Sequence, residues 1–158
     1  MRRKAAKIRD VKEDPIYKNR LVTKLINRSM RSGKRSVAEA QVYRAFEIIA
    51  KGAGEDPLRV FLKAVENIKP DTEVRPRRIG GAAYQVPIAV RGVRKESLAM
   101  RWLVLAAGLR KGTQYRTYAE KLASEITDAS RGQGGAVSKR QEIERIAEAN
   151  KAFAHFRW

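Results

Sequence analysis

Cysteine is absent, and His155 is the only histidine in a chain of 158 residues. These absences exclude disulfides, thiolate metal sites, histidine-based metal centres and histidine-paired nucleophiles built from this chain itself. No Walker A or dinucleotide-binding glycine pattern occurs, and no two carboxylates share a recognisable acid/base setting. Neither an enzyme nor a cofactor nor a small-molecule substrate is therefore expected. No apolar run approaches the roughly 20 residues that span a bilayer. The N-terminal MRRKAAKIRD has no apolar segment behind its basic residues, so a secretory leader is not expected, and a cytoplasmic location fits. Acidic residues are scarce: 17 Asp plus Glu face 35 Lys plus Arg, a net charge of +18. Such an excess repels itself and calls for a polyanion, nucleic acid ahead of a membrane surface.

What is present suffices for one core, with 43% hydrophobic residues in a chain of single-domain length. We expect a basic N-terminal extension (residues 1–15), a helical nucleic-acid-binding domain (16–150) and a basic-aromatic tail (151–158). Arg2, Arg3, Lys4, Lys7, Arg9 and Lys12 make the extension a solvated tail that orders on a phosphate backbone.

Helical periodicity starts near Pro15, with Leu21, Val22, Leu25, Ile26 and Met30 on one face and Arg20, Lys24, Arg28 and Arg31 on another. Like charges at that spacing are mildly destabilising, which favours a face that contacts a phosphate backbone over a merely solvated one. Gly33 ends this helix, and Ser36 with Glu39 forms a capping box for the next, leaving Lys34 and Arg35 just before a helix N-terminus. A third helix opens on Asp56 and Pro57. A fourth, over residues 97–109, is apolar on most sides and reads as the buried centre of the core. Thr113 caps a fifth helix carrying Tyr115 and Tyr118, and Ser138 with Gln141 caps a sixth, whose first turn holds Lys139 and Arg140 against the helix dipole.

Between the third and fourth helices lies TEVRPRRIGGAAYQVPIAVR (72–91), two strands joined at Gly80 and Gly81. Tyr84, Val86, Ile88 and Val90 alternate with more polar neighbours, while Glu73, Arg75 and Arg77 share one side and Arg78 takes the other. A lone hairpin buries little. This one reads as an arm leaving a helical body, and its arginines suit phosphates and guanine edges. The fold class is thus mainly α: a six-helix single domain with a protruding two-stranded antiparallel hairpin between helices three and four. Phe153, His155, Phe156 and Trp158 interleave with basic residues, a pattern that serves either for stacking on bases or for docking on the body.

Six segments, GKRSVAEAQVYRAF (33–46), AVENIKP (64–70), EVRPRRIGGAAYQVPIAVR (73–91), LAMRWLVLAA (98–107), GGAVSKR (134–140) and AEANKAFAHFRW (147–158), carry a close resemblance to bacterial small-subunit ribosomal protein seven. The resemblance implies a six-helix body with a protruding hairpin, binding the 3′ major domain of 16S rRNA as a primary binder that nucleates head assembly. It also implies a hairpin near the E-site tRNA and the mRNA exit path, proteins nine and eleven as neighbours, and, for some members, repression of their own operon. Carried over by position, Arg2, Arg3, Lys4, Lys7, Arg9, Arg20, Lys24, Arg28, Arg31, Lys34, Arg35, Arg75, Arg77, Arg91, Arg94 and Lys95 face rRNA. Arg78, Gly80, Gly81, Ala82 and Tyr84, with Lys139 and Arg140, lie nearest tRNA and mRNA. Two departures stand out: Pro76, where relatives often carry a small polar residue, removes one possible ladder hydrogen bond and makes the first strand less regular, and Gly92, where proline is frequent, loosens the entry to the fourth helix. The rival readings are a general DNA- or nucleoid-binding regulatory protein, against which stands the spread of basic residues over tail, helices and arm, and an RNA-modifying enzyme, for which no catalytic constellation is found.

Overall fold

A computed structural model describes residues 10–156. The expectations placed on Arg2, Arg3, Lys4, Lys7, Arg9 and Trp158 lie outside the described residues.

The first helix, α1 (Arg20–Ser29), starts later than its periodicity suggests. The Asp14 carboxylate accepts the backbone N–H of Ile16 and Tyr17 at 3.1 and 3.0 Å, folding Pro15 to Tyr17 into a turn. Lys18 then adopts φ +46°, and Asn19 caps α1 by accepting from the Leu21 N–H at 2.8 Å. Asp14 is buried, and its other oxygen accepts from the Tyr43 hydroxyl at 2.7 Å. Arg31 lies beyond α1, so three of the four expected cations share the helix.

The second helix, α2 (Arg35–Ala53), has Lys34 at its N-cap and no side-chain cap. The Ser36–Glu39 box does not form. Ser36 already lies inside the first turn, and the Glu39 carboxylate is taken by Arg35 Nε at 2.7 Å, a charge-assisted bond that outcompetes a neutral one. By contrast, α3 (Pro57–Ile68) begins as expected, with the Asp56 carboxylate accepting from the Leu58 N–H at 3.1 Å and Pro57 in the first turn.

Strands β1 (Thr72–Ile79) and β2 (Ala82–Ala89) pair antiparallel from Thr72↔Ala89 to Ile79↔Ala82, and Gly80 and Gly81 turn the chain at φ +57° and +91°. Pairing continues through Pro76↔Gln85 without a break, since alternate residues of each strand in a two-stranded ribbon point their N–H away from the partner, and a proline there removes no ladder bond. The register puts Glu73, Arg75 and Arg77 opposite Ile88, Val86 and Tyr84, so the arginines and the apolar stripe occupy one face. The arm leads into α4 (Val93–Leu109) through Gly92 at φ +53°, ψ −130°. That conformation is closed to proline, and bonds from Arg94 N to Arg91 O and from Lys95 N to Gly92 O make the entry a defined turn instead of a loose one.

The last two helices take their caps from unexpected places. α5 (Tyr118–Ser130) is opened by a capping box of Thr117 and Glu120, not by Thr113, which leaves Tyr115 outside the helix. The Asn67 side chain on α3 closes α5 by donating to the Ala129 and Ser130 carbonyls at 2.9 and 3.1 Å. α6 (Gly135–Ala149) has no cap of its own. Ser138 sits one turn inside, donating to the Gly134 carbonyl, and the buried Glu125 of α5 accepts from the Ala136 N–H at 2.8 Å. Lys139 and Arg140 therefore stand in the second turn, beside Glu142 at 2.8 Å and Glu144 at 3.5 Å, and the dipole cost expected of them is largely removed.

The core is shared. α5 packs on α2, α3, α4 and α6, helped by the small side chains of Ala119, Ala123 and Ala129, and α4 packs on α1, α3, α5 and α6. The Phe46 ring lies 4.8 Å from Tyr17 and 5.5 Å from Phe61, and both phenylalanines are fully buried. Although α4 is apolar nearly all round, Val93, Leu105 and Leu109 remain exposed, so it is not wholly buried.

A short 3-10 turn, Lys151–Phe156, follows α6. Its Phe153 and Phe156 rings lie 5.1 and 5.9 Å from Tyr84 on β2, so this part of the tail docks on the arm. The buried hairpin residues Glu73, Val86 and Val90 all lie near its base. Replacing residues 77–84 with two glycines is accordingly expected to leave the helical body folded at a cost of about 1–3 kcal/mol, the worth of the two lost aromatic pairs. Loss of the helical circular dichroism signal would contradict this.

Candidate nucleic-acid interface

Among the described residues, most of the candidate cations fall into three groups. The first lies along α1, where Arg20 pairs with Asp10 at 3.1 Å and Lys24 pairs with Glu96 of α4. Lys24 and Arg28 line a groove between α1 and the start of α4 that also contains Asn27, Val93 and Ser97.

The second surrounds the uncapped N-terminus of α2. Arg31 and Lys34 line a groove with Arg116 and Lys121, which flank the start of α5, and with Val37, Gln41, Val104 and Tyr118. The Tyr118 hydroxyl is 3.0 Å from Ser29 Oγ, and burial raises its pKa, so the phenol stays protonated. The start of α2, which no side chain caps, adds the positive end of its dipole to the same region. Arg116 and Lys121 were missed by sequence reasoning. The signal available was their position on the polar flank of the Tyr118 stripe, but nothing local ties them to Arg31, which is far away in the chain.

The third group is the arm. At its base the Glu73 carboxylate holds Arg75 on one oxygen, with Nε at 2.5 Å, and Arg94 on the other, with Nη2 at 2.9 Å. Lys95 pairs with Asp71, whose pKa is lowered by that hydrogen bond and the adjacent positive charge. Towards the tip, Arg77, Arg78, Gly80, Gly81 and Ala82 are exposed, and Tyr84 is half-buried by the 3-10 turn. Lys139 lines a different groove, between α4 and α6, with Leu105 and Leu109.

Charge pairing divides the candidate residues. Arg20, Lys24, Arg35, Arg75, Arg94, Lys95, Lys139 and Arg140 each have an acidic partner within the chain. The Glu39 hydrogen bond raises the pKa of Arg35, which stays charged throughout. Arg28, Arg31, Lys34, Arg77, Arg78 and Arg91 are exposed and have no ion pair among the described residues. An exposed pair contributes at most about 1 kcal/mol, so most of the paired cations can be exchanged onto a phosphate at little cost. Among the described residues no group of three or more His, Asp or Glu side chains could hold a metal ion, and no helix is long and apolar enough to cross a membrane.

The sequence model of the family described as Ribosomal protein S7p/S5e matches residues 1–151. Small ribosomal subunit protein uS7 of Carboxydothermus hydrogenoformans is 57% identical over 95% of this chain and 94% of its own length. The proteins of the same name from Thermosipho melanesiensis and Thermotoga petrophila are 53% and 54% identical over the full length of both chains.

Proposed function

The chain belongs to the S7p/S5e family of ribosomal proteins, and on that premise we propose that it is a primary binder of 16S rRNA that nucleates assembly of the small-subunit head. It is a structural constituent of the small ribosomal subunit and not an enzyme. The cations of α1, of the α1–α2 turn and of the hairpin base take up phosphates of the 3′ major domain. The arm, with its small glycine tip, approaches the E-site tRNA and the mRNA exit path, and proteins nine and eleven are neighbours. A second role in repressing the protein's own mRNA uses the same surface.

The observation that supports this best is the distribution of unpaired cations. Arg28, Arg31, Lys34, Arg77 and Arg91 come from a helix, a turn and an arm, and not from one recognition helix. Such a surface matches the irregular backbone of a folded RNA junction better than a duplex groove read by one helix. In a filter-binding competition, a transcript of the 16S 3′ major domain is expected to displace duplex DNA of equal length at concentrations about a thousandfold lower, the low end of specific over non-specific binding. Equal displacement would remove the ribosomal RNA reading and favour a general DNA-binding protein.

A further inference from the structure

The buried carboxylate at the base of the arm is placed to do more than staple two elements together. Glu73 is 7% exposed in a chain rich in cations. Its Oε1 accepts from Arg75 Nε at 2.5 Å, with Nη2 of the same guanidinium against the same oxygen. Its Oε2 accepts from Arg94 Nε at 3.1 Å and Nη2 at 2.9 Å. Each guanidinium therefore turns one edge inward and keeps its remaining N–H donors free, out of the five it carries. The two side chains are 53% and 45% exposed, whereas the Glu73 side chain is 9% exposed. The acid is thus covered while both arginines face solvent, carrying a net positive charge between them.

Other acids near the arm lack this arrangement. Asp71 also pairs with a cation, Lys95, but its side chain is 85% exposed and holds a single ammonium. Glu73 faces the apolar stripe of β2, with Ile88 directly opposite, and Val86, opposite Arg75, is fully buried. Strand pairing fixes Glu73 and Arg75, while Arg94 arrives from the first turn of α4. Two long side chains that would otherwise sample many rotamers are thereby held side by side.

We propose that Glu73 is a positioning residue for RNA binding, which pre-orders Arg75 and Arg94 into a fork for the RNA backbone phosphate. This rests on the reading that these arginines face ribosomal RNA. Its consequence runs against simple electrostatics. Removing a negative charge from a protein that binds a polyanion raises affinity by charge alone. Removing Glu73 instead loses the pre-ordering of two arginines, whose immobilisation must then be met on binding.

The test is a double-mutant cycle in the full chain, with a 16S 3′ major-domain transcript as the probe. Glu73→Gln, close in shape and still able to accept a hydrogen bond, is expected to weaken binding about tenfold, given the ordering cost of two rotamer-rich side chains. In the Arg75→Ala/Arg94→Ala background the same change is expected to have no weakening effect, because there is nothing left to position. Tighter binding by Glu73→Gln in the otherwise unmodified chain would overturn the proposal in favour of plain charge. An equal loss in both backgrounds would overturn it in favour of a merely structural staple. If Arg75→Ala/Arg94→Ala binds as tightly as the unmodified protein, the failure lies with the reading that these arginines face RNA.

Discussion

Replacing Arg110 with alanine is expected to lower the free energy of unfolding by about 3–5 kcal/mol, the cost of leaving a buried charge without its partner. Arg110 leaves the end of α4 and reaches into α5. It donates to Glu125 Oε2 at 2.7 Å and Ser124 Oγ at 2.6 Å, contacts the Asp128 carboxylate, and meets the Tyr115 hydroxyl at 3.3 Å. Burial lowers the pKa of its guanidinium, but the hydrogen bonds to Asp128 and Glu125 outweigh it and raise the pKa overall. The Glu125 side chain is 2% exposed, and its other oxygen accepts the Ala136 N–H that starts α6. One carboxylate thus neutralises an arginine from α4 and caps a helix that has no cap of its own. Gly134 passes so close that a Cβ built there would lie 3.0 Å from Glu125 Oε1, at a residue whose φ of +95° already disfavours a side chain. Glu125→Gln keeps an acceptor for Ala136 and should cost less than Glu125→Ala. Urea unfolding monitored by circular dichroism would measure the series, and a midpoint for Arg110→Ala equal to that of the unmodified protein would show that the network carries no stability.

Affinity for the 16S transcript is expected to fall steeply with salt. Among the described residues, Arg28, Arg31, Lys34, Arg77 and Arg91 are the rRNA-facing candidates without an ion pair, and each phosphate they neutralise contributes about −0.9 to the slope of log affinity against log salt. Five such contacts give a slope of about −4.5, a loss on the order of several hundredfold between 50 and 200 mM salt. Paired cations that exchange onto phosphates steepen it further. The variant Arg28→Ala/Arg31→Ala/Lys34→Ala should flatten the slope by about 2.7, three contacts' worth. A slope unchanged in that variant would mean that α1 and the α1–α2 turn do not touch the backbone.

Much of this architecture was legible in the chain because its signals are local. Gly80 and Gly81 between alternating strands, and Asp56 with Pro57 before an apolar stripe, specify a turn and a helix start by backbone geometry alone. Where expectation and structure part, a distant group has taken the local one's place. Ser36 and Ser138 each stand three residues before a Glu or Gln, yet α2 begins with Arg35 on Glu39, and α6 begins on a carboxylate supplied by α5. Thr113 lost to Thr117, which has Glu120 at the reciprocal spacing. Asp14, unremarkable in the sequence, holds three donors and delays α1 by several residues. The interface followed the same division. Runs of cations along α1 and the arm were visible, whereas Arg116 and Lys121 join Arg31 and Lys34 only through the packing of α5 against α2.

The docking of Phe153 and Phe156 on Tyr84 bears on the order in which the parts of the molecule come together. During synthesis the arm emerges after α3 and must wait for α4, α5 and α6 before the aromatic turn that braces it exists. Body and arm therefore mature at different times. A chain interrupted within residues 147–152 would keep most of its core yet display an arm without its brace, exposing Tyr84 beside a row of arginines. The arm gains this support only once the preceding helices have been made.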